Sequence, residues 1–377
     1  SGFSHARNGA GMTLYINGRF LTQPVSGVQR FAREIVCALD DLIAKGRGSF
    51  ATARVLVPQG IDAPAYRTLD VCAVPGGHGH LWEQGALTVA SRDGVLLSLG
   101  NAGPLLHRNH VVCFHDAHLW EMPEAFTPAY RFLHSQMRPR LAKKAAALLT
   151  VSDHSMRTLA PRLGVSMRSF TIVPNSAEHM MRGPINADVP RRYGLAPGGY
   201  LLSVGNQSPN KNITALTAAH AAVADRALPL ALVGGVAPGV AQADATGAGV
   251  IRLGRVPDAD LRGLYEGAAA FVFPSLNEGF GIPPLEAMQL GVPVLCAATG
   301  AMPQVLGDGP VWMDPRDTHD MARGLVEISA LGGEARAARI SAGHTVAARY
   351  RWRSSAETVL DVISGVTSAS VFNSATA

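Results

Sequence analysis

The sequence predicts an α/β protein of two domains, each built on a parallel sheet with helices on both faces. Three observations predict it. The 377 residues, 47% hydrophobic and 16% charged, supply enough material for two buried cores of the usual ~100–200 residues. Short apolar runs rich in Val, Leu and Phe, such as RVLVP (54–58), VVCFHD (111–116) and LLSVG (201–205), recur along the chain, and strands buried on both faces read this way. Most of these runs are followed by a turn and a helical pattern, and the 40 Gly and 24 Pro punctuate them without forming tracts.

TLYINGRF (13–20) reads as the first strand, LTQPVSGVQ (21–29) as a loop, and RFAREIVCALDDLIAK (30–45) as a helix. Its Phe31, Ile35, Leu39 and Leu42 form one apolar stripe for the sheet. Gly27 falls at a strand-to-helix junction, where exposed amides and a missing Cβ admit a phosphate or sugar; a turn glycine needing positive φ is the plainer reading. Further strands are expected at 54–57, 95–99, 111–114, 148–151 and 170–173, with helices at about 128–147 and from Ser152. After VPNSAE (173–178), the Pro-, Gly- and Arg-rich stretch 182–199 has no clear period and marks a domain boundary. A second alternation follows through YLLSVG (200–205), LALVGG (230–235), VIRLG (250–254), AFVFPS (270–275), VPVLCA (292–297) and VWMD (311–314). The small, polar segment before Met12 is left aside as an expression scar or an upstream extension.

No apolar stretch approaches the roughly 20 residues that span a bilayer, and no signal-peptide pattern opens the chain, so a cytoplasmic location is expected. Cys37, Cys72, Cys113 and Cys296 are dispersed without a CxxC pair, so they are expected to be buried thiols and not zinc ligands or disulfides. The net charge of +5 suits anionic ligands such as nucleotide diphosphates or a phosphorylated lipid. Basic motifs with interleaved aromatics are missing, so no nucleic acid partner is expected.

The most informative segment is AFVFPSLNEGFGIPPLEAMQLGVPVLCA (270–297): strand, glycine-bearing loop, Pro-Pro helix start, helix, strand. Pro283 and Pro284 suit a first helical turn, where amides lack intrahelical partners, and Glu286 is expected in that turn. Glu278 lies in the loop at the strand's carboxyl end, the edge where open α/β sheets bind ligands. Two carboxylates are therefore expected to face one crevice beside the amides of Gly279, Phe280, Gly281 and Ile282. Carboxylates accept hydrogen bonds from vicinal diols, and amides suit sugar or phosphate oxygens. The plainer readings are a helix-dipole carboxylate for Glu286 and a solvated loop residue for Glu278.

NEGFGIPPLEAM (277–288) resembles the E-x7-E signature of glycosyltransferase family 4, a large retaining family with the GT-B fold. SVGNQSPNKN (203–212) is similar to that family's phosphate-binding loop, and RLGRVPDADLRGLYEGAAAFVFPS (252–275) to the run leading into its signature. SGVQRFAREIVCAL (26–39), VVCFHDAHLWEMPE (111–124), LLTVSDHS (148–155), TIVPN (171–175) and ARYRWRSSAETVL (348–360) resemble its remaining landmarks in the expected order.

The resemblance implies two Rossmann-like domains with parallel sheets facing across a cleft. Residues 12–180 would bind the acceptor and 181–347 the nucleotide sugar, with a helix over 348–370 returning to the first domain. It implies Lys211 on the diphosphate, Glu278 on hydroxyls of the transferred sugar, Glu286 on the ribose, the backbone of Val256 at the base, and His115 in the cleft beneath the sugar. Asn206 stands where many members carry an arginine, leaving Arg255 or Arg30 as the assisting cation; PNS (174–176) and Gln304 are further departures.

The implied activity is transfer of a hexose with retention to a glycan or lipid-linked acceptor in cell-surface polysaccharide synthesis, with GDP-mannose the first donor considered and a UDP-hexose the second. No metal or other cofactor is expected, since Lys211 and helix N-termini can carry the phosphate charge. A nucleotide-sugar epimerase, a phosphorylase and a binding module without turnover are the alternatives. RFLHSQMRPRLAKKAAALL (131–149) offers either a peripheral membrane contact or a solvated helix face interrupted at Pro139.

Overall fold

The computed structural model describes residues 12–375 apart from Ser49, Pro184, Gln207 and residues 236–247. The segment before Met12 and Gln207 of the SVGNQSPNKN loop therefore lie outside the described residues.

The first sheet contains β1 (Leu14–Asn17), β2 (Ala53–Pro58), β3 (Asp70–Val74), β4 (Val95–Ser98), β5 (His110–Cys113), β6 (Ala147–Thr150) and β7 (Phe170–Ile172). They lie in the order β3-β2-β1-β4-β5-β6-β7, and every neighbouring pair is parallel. The second contains β8 (Leu201–Val204), β9 (Leu230–Val233), β10 (Val250–Gly254), β11 (Ala270–Phe273), β12 (Val294–Ala297) and β13 (Val311–Met313). Its order is β10-β9-β8-β11-β12-β13, again parallel throughout. Strands β1, β4, β5, β9, β11 and β12 are buried at every position, as their unbroken apolar runs require when helices cover both faces.

Each sheet has one place where the strand order reverses, β1/β4 in the first and β8/β11 in the second. Loops leaving adjacent strands there depart in opposite directions and open a crevice at the carboxyl edge. This topology positions the site.

Helix α1 (Gly27–Ala44) buries Phe31, Ile35, Leu39 and Leu42, the stripe read from the sequence. It begins earlier than expected because Ser26 caps it: the Ser26 amide donates to Gln29 Oε1 at 3.2 Å. Gly27 is thus the first helical residue and not a positive-φ turn. The first strand stops at Asn17, well short of Phe20. A Cβ on Gly18 would come 2.5 Å from Leu56 O, and Gly18–Thr22 coils into a 3-10 turn capped by the Asn17 side chain.

Helices α2 (Pro128–Lys144) and α3 (Asp153–Leu163) cover the far side of the first sheet. The former runs unbroken through Pro139, correcting the expected interruption. Strand β3 was not expected; DVCAV is mostly apolar but short and opens on a charge, and as an edge strand it leaves no residue buried. Of the four cysteines only Cys113 and Cys296 are buried, while Cys37 on the outer side of α1 is exposed and Cys72 on the edge strand is intermediate.

In the second unit α4 (Ile213–Ala221), α5 (Asp258–Glu266), α6 (Ile282–Gln289), α7 (Thr318–Ser329) and α8 (Gly333–Ala347) surround the sheet. Helix α9 (Trp352–Ala375) then returns to lie along α1, with the Trp352 and Phe31 rings 6.1 Å apart. The outgoing and returning chain segments are bonded to each other. Ser176 Oγ donates to Tyr350 O at 2.9 Å, Ser355 Oγ to Pro174 O at 2.7 Å, and the Trp352 amide to Glu178 Oε2 at 2.8 Å. No helix among the described residues is long and apolar enough to cross a membrane.

Candidate active site

At the β8/β11 reversal two loops meet. The loop after β8 turns through Pro209–Lys211 to Asn212, whose left-handed φ of 55° leads into α4. The Leu276 amide donates to Asn210 O at 2.7 Å, and Ser275 Oγ lies 3.0 Å from the same carbonyl, tying the loop after β11 to it. Lys211 Nζ consequently lies 2.5 Å from Glu278 Oε1 and 5.2 Å above the Phe273 ring. Ser275 Oγ donates to the same Glu278 oxygen at 2.5 Å. The side chains of Lys211 and Glu278 are 17% and 14% exposed, so the pair is sheltered yet reachable. Oε2 of Glu278 accepts no hydrogen bond from the described residues.

Gly281, at φ 97°, caps α6, and the amides of Gly279, Phe280, Gly281 and Ile282 have no acceptor among the described residues. Phe280 and Ile282 bury their side chains, Phe280 edge-on to Tyr350 at 5.3 Å, which fixes the loop. Glu286 departs from expectation. It is the fifth residue of α6, buried, and both oxygens are engaged: His179 Nε2 donates to Oε1 at 2.9 Å and Tyr265 Oη to Oε2 at 3.0 Å. The helix start at Ile282 sets Glu286 past the first turn and rotates it inward.

The first unit closes on this loop. Ser152 Oγ donates to Gly279 O at 2.6 Å, and Ser155 Oγ reaches both Gly279 O at 3.1 Å and His115 O at 2.7 Å. A Cβ on Gly279 would stand 2.5 Å from His115 O and 2.9 Å from Ser155 Oγ, so only glycine fits. Asn277 Nδ2 donates to Glu121 Oε2 at 2.7 Å, and a Cβ on Gly27 would touch Ile282 at 3.7 Å. His115 is buried at the end of β5; its Nε2 donates to Leu99 O at 2.8 Å and its ring meets Phe31 edge-on at 4.9 Å. Burial pushes its pKa down, which keeps the imidazole neutral. His115 O and Gly279 thus pack together beside the Lys211–Glu278 pair, with Gly27 near Ile282 at the border. The serines 152, 155 and 275 that build it are ordinary loop and cap residues, and nothing in the sequence signalled their role.

Asn206 is exposed and accepts from Ser208 Oγ at 2.5 Å. Arg30 is committed to Asp258 across the two units, whereas Arg255 is exposed beside Gly235 and has no ion pair among the described residues. A D-x-D tripeptide that the reading of the sequence took to be missing is present at Asp258-Ala259-Asp260, where Arg30 holds Asp258, and Arg192 and Tyr193 hold Asp260 at 2.6 and 2.8 Å. A cavity of about 350 Å³ opens at the carboxyl ends of β8, β9 and β10, lined by Ser203, Gly205, Gly234, Gly235 and Gly254, with half-buried Val256 next in sequence. A larger one, about 490 Å³, lies behind α1 and the start of α9 and touches none of Lys211, Glu278 or His115.

Residues 198–330 match the family described as Glycosyl transferases group 1. The chain is 34% identical over 231 residues to O-antigen chain mannosyltransferase B of Escherichia coli, covering 58% of this chain and 60% of that protein. It is 27% identical over 236 residues to O-antigen chain mannosyltransferase RfbU of Salmonella typhimurium, covering 60% and 63%. The chain thus spans less than two thirds of these relatives' length. Among solved structures, sucrose-phosphate synthase from Thermosynechococcus elongatus superposes with a TM-score of 0.71 at 17% identity over 95% of this chain and 99% of that one. WaaG, a glycosyltransferase involved in lipopolysaccharide biosynthesis, does so with 0.69 at 17% identity over 94% and 100%. These likenesses identify the architecture as the GT-B fold.

Proposed function

We propose that this chain, whose second sheet lies in a glycosyl transferases group 1 domain, is a retaining hexosyltransferase that moves mannose from GDP-mannose to a glycan or lipid-linked saccharide. The carrying observation is the Lys211–Glu278 pair in the β8/β11 crevice, with one carboxylate oxygen and a row of helix-start amides unoccupied among the described residues. Similarity to O-antigen mannosyltransferases supports the choice of sugar and its use in polysaccharide synthesis.

In this reading residues 12–180 hold the acceptor, residues 181–347 hold the donor, and the helix over 348–370 braces the first domain. The donor diphosphate lies between Lys211, Arg255 and the amides of 279–282, and Arg255 takes the role left by Asn206 because Arg30 is already paired. The base sits in the cavity at the ends of β8–β10, against the Val256 backbone. Oε2 of Glu278 receives a hydroxyl of the transferred sugar, and neutral His115 holds that sugar from the opposite wall. Glu286 reaches the ribose only if His179 or Tyr265 releases one of its oxygens.

The bond from the anomeric carbon to the phosphate oxygen breaks with its electron pair leaving on the nucleoside diphosphate. The acceptor oxygen bonds the same face, and its proton passes to the departing phosphate. Lys211 stabilises the leaving charge more in the transition state than in the ground state. Closure of the crevice through Gly279 limits hydrolysis by water.

The outer face of α2 supports a membrane-side acceptor. Phe132 and Leu133 are 74% and 44% exposed next to Arg131, Arg140, Lys143 and Lys144, a combination that suits an anionic lipid surface at the inner face of a membrane. Flotation with anionic vesicles tests that contact, and binding insensitive to lipid charge would remove it.

The main test is a thermal-shift screen of GDP-, UDP- and dTDP-sugars followed by transfer assays with the product anomer assigned by NMR. A rise in Tm with GDP-mannose and an α-linked product are expected. Tight donor binding without product across a broad acceptor panel, or an inverted anomer, would overturn the proposal.

A further inference from the structure

Helix α2 turns two basic side chains inward whose buried nitrogens find no hydrogen-bond partner among the described residues. His134 is 1% exposed and Arg138, one helical turn later, is 4% exposed. Neither ring nitrogen of His134 nor Nε of Arg138 has a hydrogen-bond partner, and Arg138 has no ion pair among the described residues. His118 adds a third: its Nε2 is buried and unpartnered, while Nδ1 lies 3.6 Å from Asp116 Oδ1. The acids nearby hold other donors, and the Asp116 charge acts on Arg138 only from beyond ion-pair distance. Buried Glu83 takes Arg19 Nε at 3.0 Å, His80 Nδ1 at 2.8 Å and Asn17 Nδ2 at 2.8 Å, and Asp116 accepts the His118 amide at 3.0 Å. An unpaired guanidinium in a protein interior is strongly unfavourable, and such a group beside a cleft marks a site completed by a ligand. The terminal nitrogens of Arg138 are not among the fully buried atoms, so its residual exposure lies at the end that would meet an anion.

The cluster borders the crevice. Arg138 is near enough to act electrostatically on both His115 and Asp116. These are the residues against which Gly279 packs, since a Cβ there would stand 2.5 Å from His115 O and 3.3 Å from Asp116 Cβ. The Tyr130 ring, 3.9 Å from that of His134 and stacked on Phe126, walls the outer side.

We propose that Arg138, His134 and His118 form an anion site that takes a phosphoryl group of the acceptor, anchoring it on the first-sheet side of the crevice. Donors from three side chains on two elements match a tetrahedral oxyanion better than a planar carboxylate. The word acceptor rests on the glycosyl-transfer reading; the anion site does not. His134 is neutral when empty, its pKa pushed down to about 3 by burial and by the Arg138, His80 and Arg19 charges, and a bound dianion raises it.

The test titrates inorganic phosphate into the full chain while the histidine ring resonances are followed by NMR. Saturable shifts of His134 and His118 are expected, with acetate at equal concentration leaving both unmoved. Arg138→Met should weaken phosphate binding at these rings at least about tenfold, with Tm unchanged or raised because an unpaired charge is removed. Arg138→Lys, which keeps the charge, should retain part of the response and carries the test if the methionine variant does not fold. Non-saturating shifts, an equal acetate response, or an Arg138→Met protein that binds as before would overturn the proposal. So would GDP moving the same rings, because the anion would then be the donor's. Phosphate binding at these rings in a protein that binds no nucleotide sugar would leave the anion site standing and sink only the glycosyl-transfer reading.

Discussion

Lys211 Nζ meets Glu278 Oε1 at 2.5 Å across 67 positions of sequence, because β8 and β11 are neighbours where the strand order reverses. Replacing Lys211 with alanine removes the fixed cation proposed for the leaving diphosphate. A fall of about 10²–10³ in kcat is expected, as for other single electrostatic groups that act on developing charge. The pair keeps some solvent contact, so the stability cost should stay near about 1–2 kcal/mol. Steady-state kinetics beside urea denaturation separate the two effects, and a variant with full turnover would remove Lys211 from the chemistry.

Glu286 should behave in the opposite way. Alanine there strips the acceptor from buried Tyr265 and His179 and leaves both polar groups unpaired, which is expected to cost about 3–5 kcal/mol. Glu278→Ala, with only Ser275 and Lys211 to disappoint, should cost far less. Chemical denaturation of the two variants side by side checks the order, and equal losses would contradict the engaged position of Glu286.

A methyl group at position 279 is a wedge. With His115 O only 2.5 Å away, Gly279→Ala must push the two units apart locally, although neither core loses a contact. Transfer should fall at least about tenfold while Tm moves by only a few degrees. Small-angle scattering should show a larger radius of gyration; an unchanged radius with full activity would show that the crevice tolerates the side chain.

Buried His110 gives a pH dependence of stability. Its Nε2 bonds Ser98 Oγ at 2.8 Å, and burial with the His107 neighbour pushes its pKa down from 6.5 to about 3. The folded chain therefore stays unprotonated there while the unfolded chain takes up a proton below about pH 6.5. Stability is unaffected above that value and falls as pH drops, by about 1.4 kcal/mol per unit from this group, until the folded pKa near 3 is reached. His110→Gln should flatten the slope of unfolding free energy between about pH 6 and 4.5 by that amount. An unaltered slope would mean His110 titrates normally in the folded protein.

Much of the architecture could be read from the chain because parallel strands covered on both faces must be uniformly apolar, as LLSV (201–204) and AFVF (270–273) are. Edge strand β3 escaped notice although most of DVCAV is apolar: the run is short, opens on Asp70, and at the sheet edge none of it is buried. Motifs singled out Lys211 and Glu278, which the fold brings side by side, but the engagement of Glu286 was not legible. Its partners Tyr265 and His179 sit 21 and 107 positions away and meet it only through the packing of α5 and the 178–181 turn on α6. That Arg30 is paired likewise depended on Asp258 reaching across the two units. Arg138, one of the basic residues of the 131–149 segment, is turned inward by the fold beside His134.

The two chain segments bonded at Ser176–Tyr350, Pro174–Ser355 and Glu178–Trp352 work like a pair of pins through one door. Crossings fastened together at one place confine any turning of one unit against the other to an axis through that place. Alterations at those pins should therefore change how often the jaws close on substrate, and leave untouched what they grip once shut.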